Sequence, residues 1–450
     1  MDKTKNYLIL LLIFVFSTNC SFDNKTGIWG GSAKEKKRIE ELEKKQTQTI
    51  NKETIFTYKE SFEKEITAAK NVNLSKPVKN LSWIMSGLNY QNSIGNLYLS
   101  GVDNKFLKKS IGKNKFTNLG EMSSPIILEN NIVFADDKGT IYNIDNSGRI
   151  IWKKNIYKKI YKKIYKNLTY SLYDDKIFVS DNVGFIYAIS LDNAQLIWIK
   201  NHGIPFRSKI KVFNNKIYLI NQDNRILCFD AKDGKKKWDI RAVSSFIKSQ
   251  NFLSLAISEI GDIIVLNSAG DMLKMNGING RIYWSLNTLG SMYSSDTDFY
   301  TSSDVVISGN NIFFGSGSTF LSIDLRNGYV NWKIDLNLRS IPIIDGNNIF
   351  VVSNKGYFIN IDKNTGKIIW STNTFKILKE KKRNTRVTGI VMGSNKIYTT
   401  TLNGYLITSS AVSGKTEELK KIGDKITAPP IINNGSLYIL TEESKILGFN

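Results

Sequence analysis

The strongest constraint on this chain is a short unit that recurs along it. Its clearest copy reads Asn347-Asn-Ile-Phe-Val-Val-Ser-Asn-Lys-Gly-Tyr-Phe-Ile-Asn-Ile-Asp-Lys-Asn-Thr-Gly-Lys-Ile-Ile-Trp370. Three brief apolar or alternating runs, at 349–352, 357–361 and 367–370, are separated by Gly356 and by Asn364-Thr-Gly366. Runs this short, bounded by Gly and Asn, predict strands joined by tight turns, because those residues tolerate positive φ. The unit closes on Gly-x-x-x-Trp. The same closing motif appears at Gly148 to Trp152, Gly234 to Trp238, Gly280 to Trp284, Gly328 to Trp332 and Gly366 to Trp370, and Trp198 follows Ala194 in the same way. These tryptophans stand 38–48 residues apart. Two further copies lack the Trp: one spans 395–419, and one begins at Asn434 and stops at Phe449 before its last strand.

Several strands per repeat at this period predict a radial all-β array, since one unit cannot bury its own faces. Eight units give an eight-bladed β-propeller of four-stranded antiparallel blades. Of the 8 Trp in the chain, six (Trp152, Trp198, Trp238, Trp284, Trp332, Trp370) hold the same repeat position. A large ring used once per unit suits packing between blades better than one local binding site. The eighth unit needs a fourth strand. Asn104-Lys-Phe-Leu-Lys-Lys-Ser-Ile111 resembles the run after Gly148 and is expected to supply it, closing the ring and removing exposed edges.

The first twenty residues are of another kind. Lys3 and Lys5 precede an apolar run at 7–16, which is short for a bilayer span. Phe16-Ser-Thr-Asn-Cys20 then resembles a bacterial lipoprotein signal, with Cys20 the expected lipidation site; Asn19 departs from the Gly or Ala usual before that Cys. An ordinary secretory signal or retained anchor is the alternative. Residues 21–75 are expected to be a charged spacer, with one helical face of 53–70 packing on the propeller, and residues 76–450 the propeller itself. With Cys20 modified, Cys228 is left alone in Arg225-Ile-Leu-Cys-Phe229, a buried strand position.

The net charge of +22 falls mostly after residue 75. A basic domain attracts anionic partners, and AT-rich codons would give the same excess of lysine. Two connectors concentrate it. Ile156-Tyr-Lys-Lys-Ile-Tyr-Lys-Lys-Ile-Tyr-Lys166 is a tetrad repeat that, as a helix, would place Ile156, Ile160 and Ile164 on one face. Lys379-Glu-Lys-Lys-Arg-Asn-Thr-Arg386 is the other. No catalytic constellation is visible. The single His, His202, excludes a histidine-rich metal site, no Cys pair has zinc-ligand spacing, and Gly315-Ser-Gly-Ser318 lacks the Lys of a phosphate loop.

Gly139-Thr-Ile-Tyr-Asn-Ile-Asp145, followed by Gly148-Arg-Ile-Ile-Trp152, resembles the quinoprotein-type propeller repeat. That resemblance covers residues 83–450 and implies one of two settings. The first is the BamB family of lipoproteins, eight-bladed propellers without a cofactor that serve outer-membrane β-barrel assembly from the periplasmic face. The second is the eight-bladed pyrroloquinoline-quinone dehydrogenases, which hold quinone and calcium; the adjacent cysteines frequent there are absent. The signal, Cys20 and the lack of chemistry favour the first. The BamB resemblance implies a protein partner, the barrel-inserting subunit, and a membrane held through the lipid; nucleic acid is not an expected partner. In that family connectors bind the partner through a Leu-x-Leu-Arg motif. Its nearest likeness is Leu336-Asn-Leu-Arg339, two blades after the connector that begins near Arg241 and holds Phe246. Arg241, Phe246, Leu336, Leu338 and Arg339 are therefore the candidate partner-binding residues.

Overall fold

The structure, a computed structural model, describes residues 62, 64–67, 72–112, 122–161, 163–241, 253–288 and 302–450, with 21–22, 29–30 and 37 upstream. The chain divides into two units, Met1–Lys59 and Glu60–Asn450. In the first, Ser21–Phe22 pairs antiparallel with Trp29–Gly30. The second is an eight-bladed β-propeller. Blade one begins at Ile126–Leu128 and ends at Ile150–Asn155, and blade two runs from Leu168–Tyr173 to Leu196–Asn201. Blades three to seven begin at Lys211–Phe213, Ser254–Ile257, Val306–Ser308, Ile343–Asp345 and Val387–Gly393. In each of these seven blades the chain meanders outward through four strands. First strands of most neighbouring blades touch, so they surround the axis. Fourth strands form the rim and alternate exposed with half-buried residues, as in Val330–Asp335.

Blade eight is built from both ends of the unit. Ile431–Asn433, Ser436–Leu440 and Lys445–Phe449 supply three strands, and Lys105–Ser110 pairs antiparallel with the last of them. The pairing expected for 104–111 is present. Leu107 lies opposite Gly448, the register position at which Trp198 lies opposite Ala188 in blade two. It packs on Gly148 of blade one, where an added Cβ would come within 3.2 Å of the Leu107 side chain. Blade one also carries a fifth strand, Ser82–Trp83, inside its first.

The six repeat tryptophans all face the next blade. Trp198, Trp238, Trp284, Trp332 and Trp370 lie against Gly234, Gly280, Gly328, Gly366 and Gly414, where a Cβ would stand 2.6–3.1 Å from the ring. The indole N–H groups of Trp152, Trp198, Trp238, Trp284 and Trp332 donate to Leu191, Ala231, Gly277, Leu325 and Lys363 carbonyls. Each ring therefore buries its face and satisfies its one donor on the same neighbour. Trp370 is fully buried, and its Nε1 has no hydrogen bond among the described residues.

Two expectations need correction. Residues 64–67 are extended, not helical: Ile66 exchanges hydrogen bonds with Ser371 on the rim of blade six, and Val72 packs in the cluster around Trp370. The tetrad repeat holds only the 3-10 turn Lys159–Tyr161. Tyr157 and Tyr161 pack edge-on against Phe185, which leaves Ile160 76% exposed.

Gly328 has φ +78, a region costly for side chains, and has the Trp284 ring above it. Gly328→Ala should lower stability by about 1–2 kcal/mol in urea titrations. Ala194 already sits at φ 57 in the equivalent place of blade two, so Ala194→Gly should be neutral or stabilising in the same assay.

Candidate functional site

Strands alternate in direction along each meander. Every fourth strand therefore ends, and every first strand begins, at one end of the propeller; the turns between first and second strands lie at the other. The two ends differ because residues 80–100 circle the second. Asn80 O accepts from Asn434 in blade eight, Ser82–Trp83 pairs with blade one, and Ile84 O accepts from Leu172 in blade two. Tyr90, Gln91 and Ile94 carbonyls accept from Ile257, Ile307 and Ile344 of blades four, five and six. Leu97 bonds with Met392 and Ser394 of blade seven, and Ser100 donates to Gly435, back in blade eight. Trp83, Met85, Ile94, Leu97 and Leu99 are buried beneath this belt.

Blade three holds the belt by a side chain instead. Lys211 is fully buried, and its Nζ donates to Ser86 O at 2.6 Å, Asn89 O at 2.7 Å and Asn92 Oδ1 at 2.6 Å. Asn92 Nδ2 in turn donates to Leu255 O and Val305 O of blades four and five. All three ammonium protons have acceptors, which offsets part of the desolvation that burial imposes. A signal for this residue was present in the sequence. First strands read Ile126-Ile-Leu, Val306-Ile-Ser, Ile343-Ile-Asp and Ile431-Ile-Asn, whereas blade three reads Lys211-Val-Phe. A lysine at an apolar register position needs buried acceptors.

The belt occupies the turn end, and the two candidate arginines lie at the connector end. Arg241 closes the fourth strand of blade three, Lys236–Arg241, and is exposed there. Arg339, between blades five and six, is exposed at the same end. Leu336 and Leu338 are not part of that surface. Both are fully buried in the core with Phe320 and Ile341, and the site of a Cβ on Gly315 lies 3.1 Å from Leu338 Cβ. Their alternation with Asn337 and Arg339 is that of packed chain, apolar inward and polar outward. Phe246 and Cys20 lie outside the described residues.

Several other polar groups are engaged within the protein. Lys209 and Asp304, in the connectors leading into blades three and five, pair at 2.5 Å. Asp181 accepts three backbone N–H groups of its own turn and the Tyr157 hydroxyl, while burial holds its carboxyl above the usual range. Asp136 is similarly placed, accepting from Lys138, Thr140 and Tyr142. His202 packs 4.8 Å from the Phe229 ring, and burial lowers its pKa. Cys228 is buried, and its thiol is pushed up to about 12 by burial. Among the described residues no three His, Cys, Asp or Glu side chains are placed to share a metal ion.

Meander blades locked in series by a repeated tryptophan, with strands of quinoprotein-repeat type, define the class: a quinoprotein-type β-propeller. Within it, the family described as outer membrane protein assembly factor BamB matches residues 122–372, more than half of the chain, and the chain belongs to that family. The assembly factor BamB of Moranella endobia is 18% identical over 298 residues, covering 61% of this chain and 72% of its own. A relative from Rickettsia prowazekii is 22% identical over 257 residues, and the match spans 61% of that protein's length. Among solved structures, BamB from Moraxella catarrhalis superposes with a TM-score of 0.63 at 11% identity, over 76% of this chain and 100% of its own. Quinohemoprotein alcohol dehydrogenase from Comamonas testosteroni gives 0.62 at 11%, over 82% and 80%. At these identities the structural likenesses speak to the fold alone.

Burial pushes the Lys211 ammonium down to about 7, while the Asp304 carboxylate pulls it up. The unfolded lysine titrates near ~10.4. Between these values the unfolded chain carries a proton that the folded chain has released, so stability should rise with pH across the window. Lys211→Met should remove this contribution, at most about 1.4 kcal/mol per pH unit. Urea midpoints of protein and variant at about pH 7 and about pH 9 measure it.

Proposed function

We propose that this protein is a lipid-anchored, non-catalytic propeller at the periplasmic face of the outer membrane. In this reading it docks, through its connector end, on the subunit that inserts β-barrels. The observation that carries the reading is the family match over residues 122–372. The geometry supports it: the belt covers the turn end, and the connector end exposes Arg241 and Arg339. The lead-in segment also meets the propeller at the connector end, where Glu65 pairs with Lys376. Two planar guanidinium groups suit an acidic or carbonyl-rich partner surface, because each offers a fork of donors.

Capture from solubilised outer membranes tests this. The full chain should recover the barrel-inserting subunit, and the paired change Arg241→Glu with Arg339→Glu should lower recovery on the order of tenfold or more. Undiminished recovery would place docking elsewhere. Mass spectrometry of the mature protein should find Cys20 acylated and residues 1–19 removed.

The superposition on quinohemoprotein alcohol dehydrogenase favours a second reading, a periplasmic quinoprotein oxidoreductase. A ligand that binds only the folded state raises its melting temperature. Under the scaffold reading, pyrroloquinoline quinone with calcium should leave the melting temperature unchanged; a calcium-dependent rise would favour the oxidoreductase.

A further inference from the structure

The tetrad connector between blades one and two is built inside out relative to an amphipathic helix. Its tyrosines are the inward stripe. The Tyr157 ring lies over Gly139, where a Cβ would come within 2.2 Å of it, and its hydroxyl donates to Asp181. Lys166 is buried, with its ammonium 5.0 Å from the centre of the Tyr157 ring and its backbone N–H donating to Asp137 O. Asn182 takes the Tyr165 carbonyl and the Asn167 N–H. The connector is thus pinned from below at both ends.

Its outer side is left with Ile160 and Ile164, 76% and 44% exposed, among the exposed Lys158, Lys159 and Lys163. No carboxylate interrupts this: between Asp145 and Asp174 the chain carries seven Lys and one Arg and no Asp or Glu. The connector between blades six and seven repeats the combination at the same end. There Ile377, 40% exposed, is followed by the exposed Lys379, Lys381, Lys382 and Arg383, with Glu380 among them.

We propose that the tetrad connector is a membrane-contacting knuckle that seats Ile160 and Ile164 between the headgroups of an anionic phospholipid surface while Lys158, Lys159 and Lys163 meet the phosphates. Isolated exposed isoleucines are common on soluble proteins. Two of them on a pinned turn whose charged side chains are all cationic are a different case. Apolar burial and attraction to anionic lipid act together there, and either alone would be weak. A flat lipid surface also matches two such connectors presented at one end of a propeller. This contact is separate from acylation and from protein docking at Arg241 and Arg339.

The test uses the full chain with Cys20→Ser, so that no acyl group contributes, and Ile160→Cys carrying an environment-sensitive fluorophore. Cys228 is fully buried and will not compete for label. Vesicles of phosphatidylglycerol and phosphatidylcholine should shift the emission to the blue, and phosphatidylcholine alone should not. In an otherwise unlabelled chain, each of Lys158→Glu, Lys159→Glu and Lys163→Glu should weaken vesicle binding at low salt by roughly fivefold or more. Ile160→Asn should weaken it without changing its salt dependence. The proposal is overturned if vesicle-bound protein shows no blue shift, or if the triple charge reversal binds as tightly as the parent. It is also overturned if a single-stranded oligonucleotide gives the same shift, which would make the knuckle a nucleic-acid contact.

Discussion

Everything in the propeller depends on a contact that each blade makes with the next. A tryptophan on the fourth strand lays its ring on a backbone turn of the following blade, and that turn is bare because it carries Gly. The ring buries apolar area, and its N–H finds a carbonyl of the same neighbour, as Trp284 does with Leu325. A blade alone would expose that ring and leave its faces wet, so the blades gain stability only in series. Where the contact changes, the replacement follows the same logic. Leu107 stands at the tryptophan's register in blade eight and packs on Gly148, and Ala194 takes the Gly place in blade two with φ 57.

The belt turns a nearly symmetric ring into an object with two different ends. Its hydrogen bonds reach the inner strands of seven blades through backbone groups, and of blade three through Lys211. Backbone pairing suits strands whose ends are free to pair. A buried ammonium suits the place where three acceptors from one irregular turn converge. The exposed arginines and both basic connectors lie at the other end.

The repeat, the blade number and the strand supplied by 105–110 were legible because each follows from local chemistry: turn residues, strand length and a recurring aromatic. The candidate docking residues were harder. Leu336 and Leu338 look like a motif in sequence, yet both side chains point into the core, and only Arg339 is outside. The tetrad repeat misled for a related reason. Its period suits a helix, but its tyrosines find better partners below, in Phe185 and Asp181, than a helix would give them. Lys211 was detectable as a misfit in its strand, though not its acceptors, which lie 119–125 residues away along the chain.

Read alone, the amino-acid sequence determined that this chain forms short strands in repeating groups and that one large ring per group must find a neighbour. Those properties reside in spacings of a few residues, where hairpin geometry and apolar alternation act. Which end is closed, which leucines are hidden and which isoleucines are bare were decided only by the tertiary structure. Each depends on what a distant segment covers, and the distance between Asn80 and Asn434 along the chain carries no physical force until the ring brings them together.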